Sequence, residues 1–155
     1  MEKELKLNLG CGAKKLEGYV NIDKNSKYDP DVLVDIEVDG LPYERETCDL
    51  VVAKDFLEHI LPENTIFVIE EIWRVLKIDC EFEHYTPSTD GRGAFQDPTH
   101  RSFWNFNSWN YFVVDDFREQ IGTKAKFEVV QLKDHLTSDV HQIIHTHGIF
   151  KKVRS

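Results

Sequence analysis

The run Leu7-Asn8-Leu9-Gly10-Cys11-Gly12, near the start of the chain, constrains the fold more than any other segment. Leu5 to Leu9 alternates apolar and polar side chains and stops at glycine, as a strand feeding a tight turn does. Glycine has no Cβ and takes positive φ, so a strand that ends in Gly-x-Gly lets a ligand approach the backbone. The nicotinamide-dinucleotide fingerprint adds a third glycine three positions on and an acid about 20 residues later. Here Lys15 stands at the third position, and Asp23 follows at about half that interval. The turn therefore reads as a nucleotide-cofactor turn of another kind.

Downstream, Tyr19 to Asp23 and Val32 to Asp35 are short runs with strand propensity, and both finish on aspartate. Cys48 to Ala53 is the most apolar strand candidate, as expected of a strand buried on both faces of a parallel sheet. From Pro62, a tolerated helix start, Ile66, Ile69, Ile72, Trp73 and Leu76 recur at helical spacing to Lys77. Glu81 to Tyr85 alternates as a fifth strand and ends at Thr86-Pro87. An aromatic-rich insert follows over Gly91 to Tyr111, then a helix from about Ser108 to Ile121 capped by Gly122. Phe127 to Leu132 and Gln142 to Val153 supply two last strands that pair as antiparallel neighbours. This order predicts one α/β domain over residues 1–155, Rossmann-like, with a mostly parallel sheet of about seven strands and a C-terminal antiparallel pair. The interval between the first two strands is too short for a full helix, so the first helix is abbreviated. Ligands are expected at the carboxyl ends of the parallel strands.

The 155 residues carry a formal net charge of -9, which repels a phosphate backbone and argues against nucleic acid as a partner. Lys14, Lys15, Lys24 and Lys27 read as a solvated loop surface. Cys11, Cys48 and Cys80 are odd in number and far apart, which fits reduced thiols rather than disulfides or a zinc site. No apolar run approaches the roughly 20 residues that cross a bilayer, and Met-Glu-Lys-Glu-Leu-Lys lacks the apolar core of a signal peptide. A cytoplasmic protein without a membrane partner is expected. His141, His145 and His147 read as structural, and no metal site is expected.

The ordered segments resemble the small class I S-adenosylmethionine-dependent methyltransferases of the type 11 group. They are Leu7 to Gly12, Leu16 to Asp23, Asp35, Asp49 to Val52, Phe56-Leu57-Glu58-His59-Ile60 and Glu71 to Lys77. The resemblance implies S-adenosylmethionine as cofactor, with Gly10, Cys11 and Gly12 against its methionine and ribose parts. It further implies Asp23 on the ribose hydroxyls, Asp35 on the adenine amino group, Ile36 on the ring, and Asp55 with Phe56 lining the site. A carboxylate at a strand end also suits a vicinal diol on chemical grounds alone. Asn8 stands where many relatives carry an acid, and Lys14 where they carry a small residue. Ala53-Lys54-Asp55-Phe56 replaces the Asn-Pro-Pro-aromatic run of enzymes that methylate nucleobase amines.

The insert lies where such folds place substrate-facing loops, so its aromatics suit a lid over the cofactor or a plug in place of missing helices. Methyl transfer to oxygen or nitrogen needs a proton acceptor. His100, with Asp97 nearby in sequence, is the first candidate, ahead of His59 and Tyr111. The expected activity is methyl transfer to a small-molecule or glycan-type acceptor. The alternative is a catalytically silent cofactor-binding module that works with a partner chain and exposes a large apolar surface. A homodimer is compatible with either.

Overall fold

A computed structural model describes residues 3–155. Seven strands form a single sheet: β1 (Lys6–Leu9), β2 (Val20–Asp23), β3 (Val32–Leu33), β4 (Cys48–Lys54), β5 (Leu76–Pro87), β6 (Phe127–Ser138) and β7 (Ile143–Lys152). Their order is β3-β2-β1-β4-β5-β7-β6. The first five run parallel, and β7 lies antiparallel between β5 and β6. This is the expected Rossmann-like sheet with its C-terminal antiparallel pair. No helix among the described residues joins β1 to β2; a loop does so.

That loop is held by side chains instead. The Asn8 amide donates to the Lys14 carbonyl at 3.2 Å and to Asn21 Oδ1 at 2.9 Å. Asn21 Oδ1 also accepts from Leu16 N at 2.8 Å, and Asp31 accepts from the Asn21 backbone and amide. An amide pair at the strand centre thus satisfies backbone groups that a helix would have satisfied itself.

The helices are α1 (Ile36–Asp39), α2 (Thr65–Val75), α3 (Gly93–Gln96), α4 (Asn110–Val113) and α5 (Asp115–Ile121). Several boundaries differ from expectation for local reasons. Asp35 does not end β3 but caps α1, accepting from Glu37 N at 3.1 Å. A 3-10 turn over Pro62–Asn64 precedes α2, which stops at Val75. Leu76 and Lys77 already belong to β5, because Asp79 takes a left-handed φ of 65° and the ladder shifts register between Cys48 and Leu50. A bulge inside one long strand thus replaces a separate connection between the helix and the fifth strand. The single helix expected over 108–121 is three pieces, a 3-10 turn (Phe106–Trp109), α4 and α5, broken where Val114 is extended. Gly122 caps α5 in the left-handed conformation as expected. β6 runs six residues past Leu132 to Ser138, where β7 supplies its hydrogen bonds.

Register makes the two sheet faces chemically different. Leu7, Val51, Phe82 and Phe150 are neighbours across four strands, as are Leu9, Ala53, His84 and Gly148. This face is dry: Trp109 from the insert stacks on His84 (4.0 Å between ring centroids) and on Phe150 (4.7 Å), and Trp104 stacks on Trp109. The same core cluster takes in Val68, Ile69, Ile72 and Trp73 of α2. Trp73 Nε1 donates to the carbonyls of Lys126 and Val153, tying α2 to the ends of the last two strands.

The opposite face carries Asn8, Val52, Glu83 and Ile149 in one row and Lys54, Tyr85, His147 and Lys133 in the next. Tyr85 stacks flat on His147 (4.0 Å, 8°), whose nitrogens contact Glu83 Oε1 at 2.8 Å and Gln131 Nε2 at 2.9 Å. This face thus mixes polar side chains with Val52 and Ile149, and Asn8, Val52 and His147 are buried on it.

Cys11, Cys48 and Cys80 are free, and burial raises each thiol, Cys48 to about 11. No described helix is long and apolar enough to cross a membrane.

Candidate functional site

Strand order reverses beside β1, whose chain leads to β2 on one side while β4 lies on the other; open α/β sheets bind ligands at the carboxyl ends of strands at such a point. Gly10 and Gly12 have φ of 61° and 48°. A Cβ on Gly10 would sit 2.3 Å from Phe56 Cδ2, so this glycine is required twice over, by dihedral and by the ring packed on it. Nothing lies within 4 Å of a Cβ on Gly12, which faces open space. Cys11 N donates to the Ile22 carbonyl at 3.0 Å, holding the turn against the end of β2.

Two adjoining cavities share Gly10, Gly12, Tyr28 and Asp55. The first, of 410 Å³, is lined by Gly10, Gly12, Asp23, Asp35, Ile36, Asp55 and Phe56, all singled out in the sequence. The second, of 650 Å³, lies toward the polar sheet face and takes in Asn8 and Cys11 together with Lys54, Tyr85 and His145. All nine residues expected around the cofactor therefore line one cavity or the other, brought together from the ends of β1, β2, β3 and β4.

Asp23 Oδ2 accepts from Gly12 N at 2.9 Å and Oδ1 from Asn25 N at 2.8 Å. These bonds fix the carboxylate while each oxygen keeps accepting capacity toward the cavity. Asp35 caps α1 and lines the cavity at once, its Oδ2 3.9 Å from Lys24 Nζ. Asp55 has a left-handed φ of 50° immediately after β4, and its Oδ1 is 2.9 Å from His145 Nε2. Burial pushes the Asp55 carboxyl up, but the hydrogen bond and charge of His145 outweigh it and hold the group below its usual value. Asn8 differs from an acid in more than charge: its amide is spent on Lys14 and Asn21, inside the protein.

The insert divides. Thr99 and Arg101 line the first cavity, whereas Trp104, Trp109 and Phe112 are buried in the core. Neither His100 nor Asp97 lines either of the two cavities. The His100 ring is buried with Nδ1 2.9 Å from the Ala94 carbonyl and Nε2 3.7 Å from Asp97 Oδ2. Asp97 accepts from Thr99 N and Oγ1, which, with the His100 charge, lowers its carboxyl. Tyr111 stacks on Phe117. His59 lines the first cavity.

Sequence reasoning missed three groups. Glu37 accepts from Leu61 N and Asn64 Nδ2, fastening the segment after β4 to α1. His145 belongs to the second cavity through Asp55, a partner 90 residues away that no spacing reveals. Glu58 is 2% exposed, and burial, with the charges of Asp55 and Asp97 adding to it, pushes its carboxyl up to about 8. The strand alternation of Glu81 to Tyr85 was the available signal for a sheet wet on one side.

Residues 7–82 match the family described as a methyltransferase domain. That match, over just under half of the chain, and the strand order are consistent with a class I S-adenosylmethionine-dependent methyltransferase domain. Among solved structures, the chain resembles a SAM-dependent methyltransferase from Methanosarcina mazei at 17% identity and a TM-score of 0.67, covering 100% of this chain and 95% of that one. It resembles one from Archaeoglobus fulgidus equally, at 17% identity and 0.67, over 96% and 86% of the two chains. A third likeness is to 1,6-didemethyltoxoflavin-N1-methyltransferase from Burkholderia thailandensis, with 1,6-didemethyltoxoflavin and S-adenosylhomocysteine bound. The identity is 15% and the TM-score 0.63, over 96% of this chain and 71% of that one. No curated protein sequence matches the chain.

Proposed function

We propose that the protein is an S-adenosylmethionine-dependent methyltransferase that binds its cofactor in the first cavity and takes a small-molecule or glycan-type acceptor from the second. The observation that carries this reading is the convergence of Asp23, Asp35 and Asp55 with the Gly10–Gly12 turn on one cavity at the strand-order switch. The pieces suit the cofactor chemically. Asp23 has accepting capacity for two vicinal hydroxyls, and Asp35 with Ile36 offers an acceptor and an apolar surface to an adenine. The open space above Gly12 admits a ligand against the backbone. Bound there, S-adenosylmethionine supplies an electrophilic methyl group on a sulfonium.

The chain's own task is to hold an acceptor in line and to take up a proton where the acceptor is a hydroxyl or amine. His145, unlike His100, lines the second cavity, with Nε2 2.9 Å from Asp55 Oδ1 and Nδ1 2.7 Å from Thr137 Oγ1, and is the nearer candidate for the proton. The Burkholderia neighbour is a 1,6-didemethyltoxoflavin-N1-methyltransferase with 1,6-didemethyltoxoflavin bound, which supports a small-molecule acceptor. Titration calorimetry with S-adenosylmethionine and S-adenosylhomocysteine tests the reading. Micromolar binding of either is expected, and no binding of either would overturn it. Mass spectrometry of co-purified ligands and an acceptor screen then address the substrate.

A further inference from the structure

Beside the first cavity, Glu58 and His59 on the turn after β4 meet His100 of the insert. One ligand-capable atom from each lies within 4.8 Å of the others. The two imidazoles touch edge to face, 5.0 Å between centroids at 82°. Their tautomers are set from behind. A carbonyl oxygen only accepts, so His100 Nδ1 at 2.9 Å from the Ala94 carbonyl carries the hydrogen, and its Nε2 keeps a lone pair. His59 Nδ1 lies 3.4 Å from the Thr99 carbonyl, which sets the same tautomer, and its Nε2 points to Glu58 Oε1 at 3.9 Å.

Glu58 is 98% buried and its Oε2 has no hydrogen-bond partner among the described residues. Asp97 Oδ2 adds another oxygen, 3.7 Å from His100 Nε2. Two imidazole lone pairs and a carboxylate thus lie within 4.8 Å of one another. Backbone carbonyls behind metal-bound histidines fix their tautomers in the same way.

We propose that Glu58, His59 and His100 form a binding site for one divalent first-row transition-metal ion, with the side next to His59 facing the first cavity. Two imidazoles and one carboxylate favour zinc, cobalt, nickel or iron over calcium and magnesium, which take oxygen ligands. Three protein ligands leave coordination positions open, and His59, 40% exposed, shares the cavity wall with Thr99 and Arg101. Resting on the methyltransferase reading, those open positions face the cavity assigned to the cofactor, where water or an oxygen of the bound ligand completes the coordination. No spacing along the chain signals such a site, because its ligands sit on two segments about 40 residues apart.

The test uses untagged full-length protein, stripped with chelator and dialysed, titrated with Zn²⁺ by calorimetry and with Co²⁺ by visible absorption. One equivalent of Co²⁺ should give ligand-field bands in the visible, and Zn²⁺ should displace it. His59→Ala and His100→Ala should each weaken Zn²⁺ binding at least tenfold, while His141→Ala in the exposed β6–β7 turn should not. His59 is partly exposed, so His59→Ala decides the matter if His100→Ala does not fold. Absence of a saturable Co²⁺ spectrum, or wild-type Zn²⁺ affinity in His59→Ala, would overturn the site. S-adenosylmethionine binding measured on the stripped protein separates failure of this site from failure of the cofactor reading.

Discussion

Gly10 and Gly12 sit two residues apart in the same turn and both have positive φ, yet alanine at each should fail for different reasons. Placing an L-residue in the left-handed region costs about 1–2 kcal/mol. For Gly12→Ala that is the whole folding cost, because its new methyl meets nothing within 4 Å. For Gly10→Ala the methyl would lie 2.3 Å from Phe56 Cδ2 and 3.1 Å from Phe56 Cβ, so the ring must move from its base. Overpacking of this kind adds about 1–3 kcal/mol. In a chain of this length each kcal/mol lowers Tm by roughly 2–4 °C. Gly12→Ala should therefore melt about 5 °C below the wild type, and Gly10→Ala on the order of 10 °C below it. Binding should rank differently. The Gly12 methyl occupies the open space where a cofactor meets the backbone, so S-adenosylmethionine affinity should fall by tenfold or more in a protein that remains folded. Thermal scans and calorimetry on both variants measure the two effects. Wild-type affinity in Gly12→Ala would refute the placement of the cofactor against the turn. Equal melting of the two variants would refute the role given to Phe56.

Asp23→Ala removes two charge-assisted acceptors facing the first cavity, each worth about 1.5–3 kcal/mol, so cofactor affinity should fall roughly a hundredfold or more. Unchanged affinity by calorimetry would count against the ribose-hydroxyl assignment. Trp109→Ala deletes a side chain 1% exposed that stacks on His84, Trp104 and Phe150, and should cost about 3–5 kcal/mol in urea denaturation. A loss below about 1 kcal/mol would mean the insert is not a structural plug. Glu58 gives a pH signature in the metal-free protein. Its folded-state carboxyl titrates at about 8, above the ordinary 4.5, so between those values the unfolded chain releases the proton while the folded chain keeps it. Stability should thus be greatest below about 4.5 on this account and decline as pH rises to about 8, by a few kcal/mol; Glu58→Gln should flatten that slope. Equal slopes in denaturation midpoints across that range would refute the burial argument.

Much of the local chemistry of this chain is legible in the order of its residues. Gly10 and Gly12 mark a turn of positive φ, the aspartates at the ends of β2 and β4 stand beside their apolar runs, and Gly122 marks a helix end. These are short-range facts, decided by the steric freedom of one residue or the period of a few. The bounds that failed did so where a distant partner overrode local preference. Leu76 and Lys77 read as the end of a helix and the fifth strand as starting at Glu81, but pairing with β4 keeps residues 76–87 in one bulged strand. Leu132 to Ser138 is too polar to read as strand, but β7 supplies its ladder.

Meetings between segments far apart in the chain belong to the folded molecule. Asp55 meets His145, Gly10 meets Phe56, and His100 turns toward Glu58 and His59 rather than toward either cavity. Periodicity says which face of a strand is apolar, but not which loop will lie against it. The α/β order and the cofactor turn thus follow from the amino-acid sequence alone, because glycine sterics and hydrophobic period act over a few residues. The partners of the titratable groups were settled by sheet register and loop closure, which place side chains within hydrogen-bond reach irrespective of their spacing along the chain.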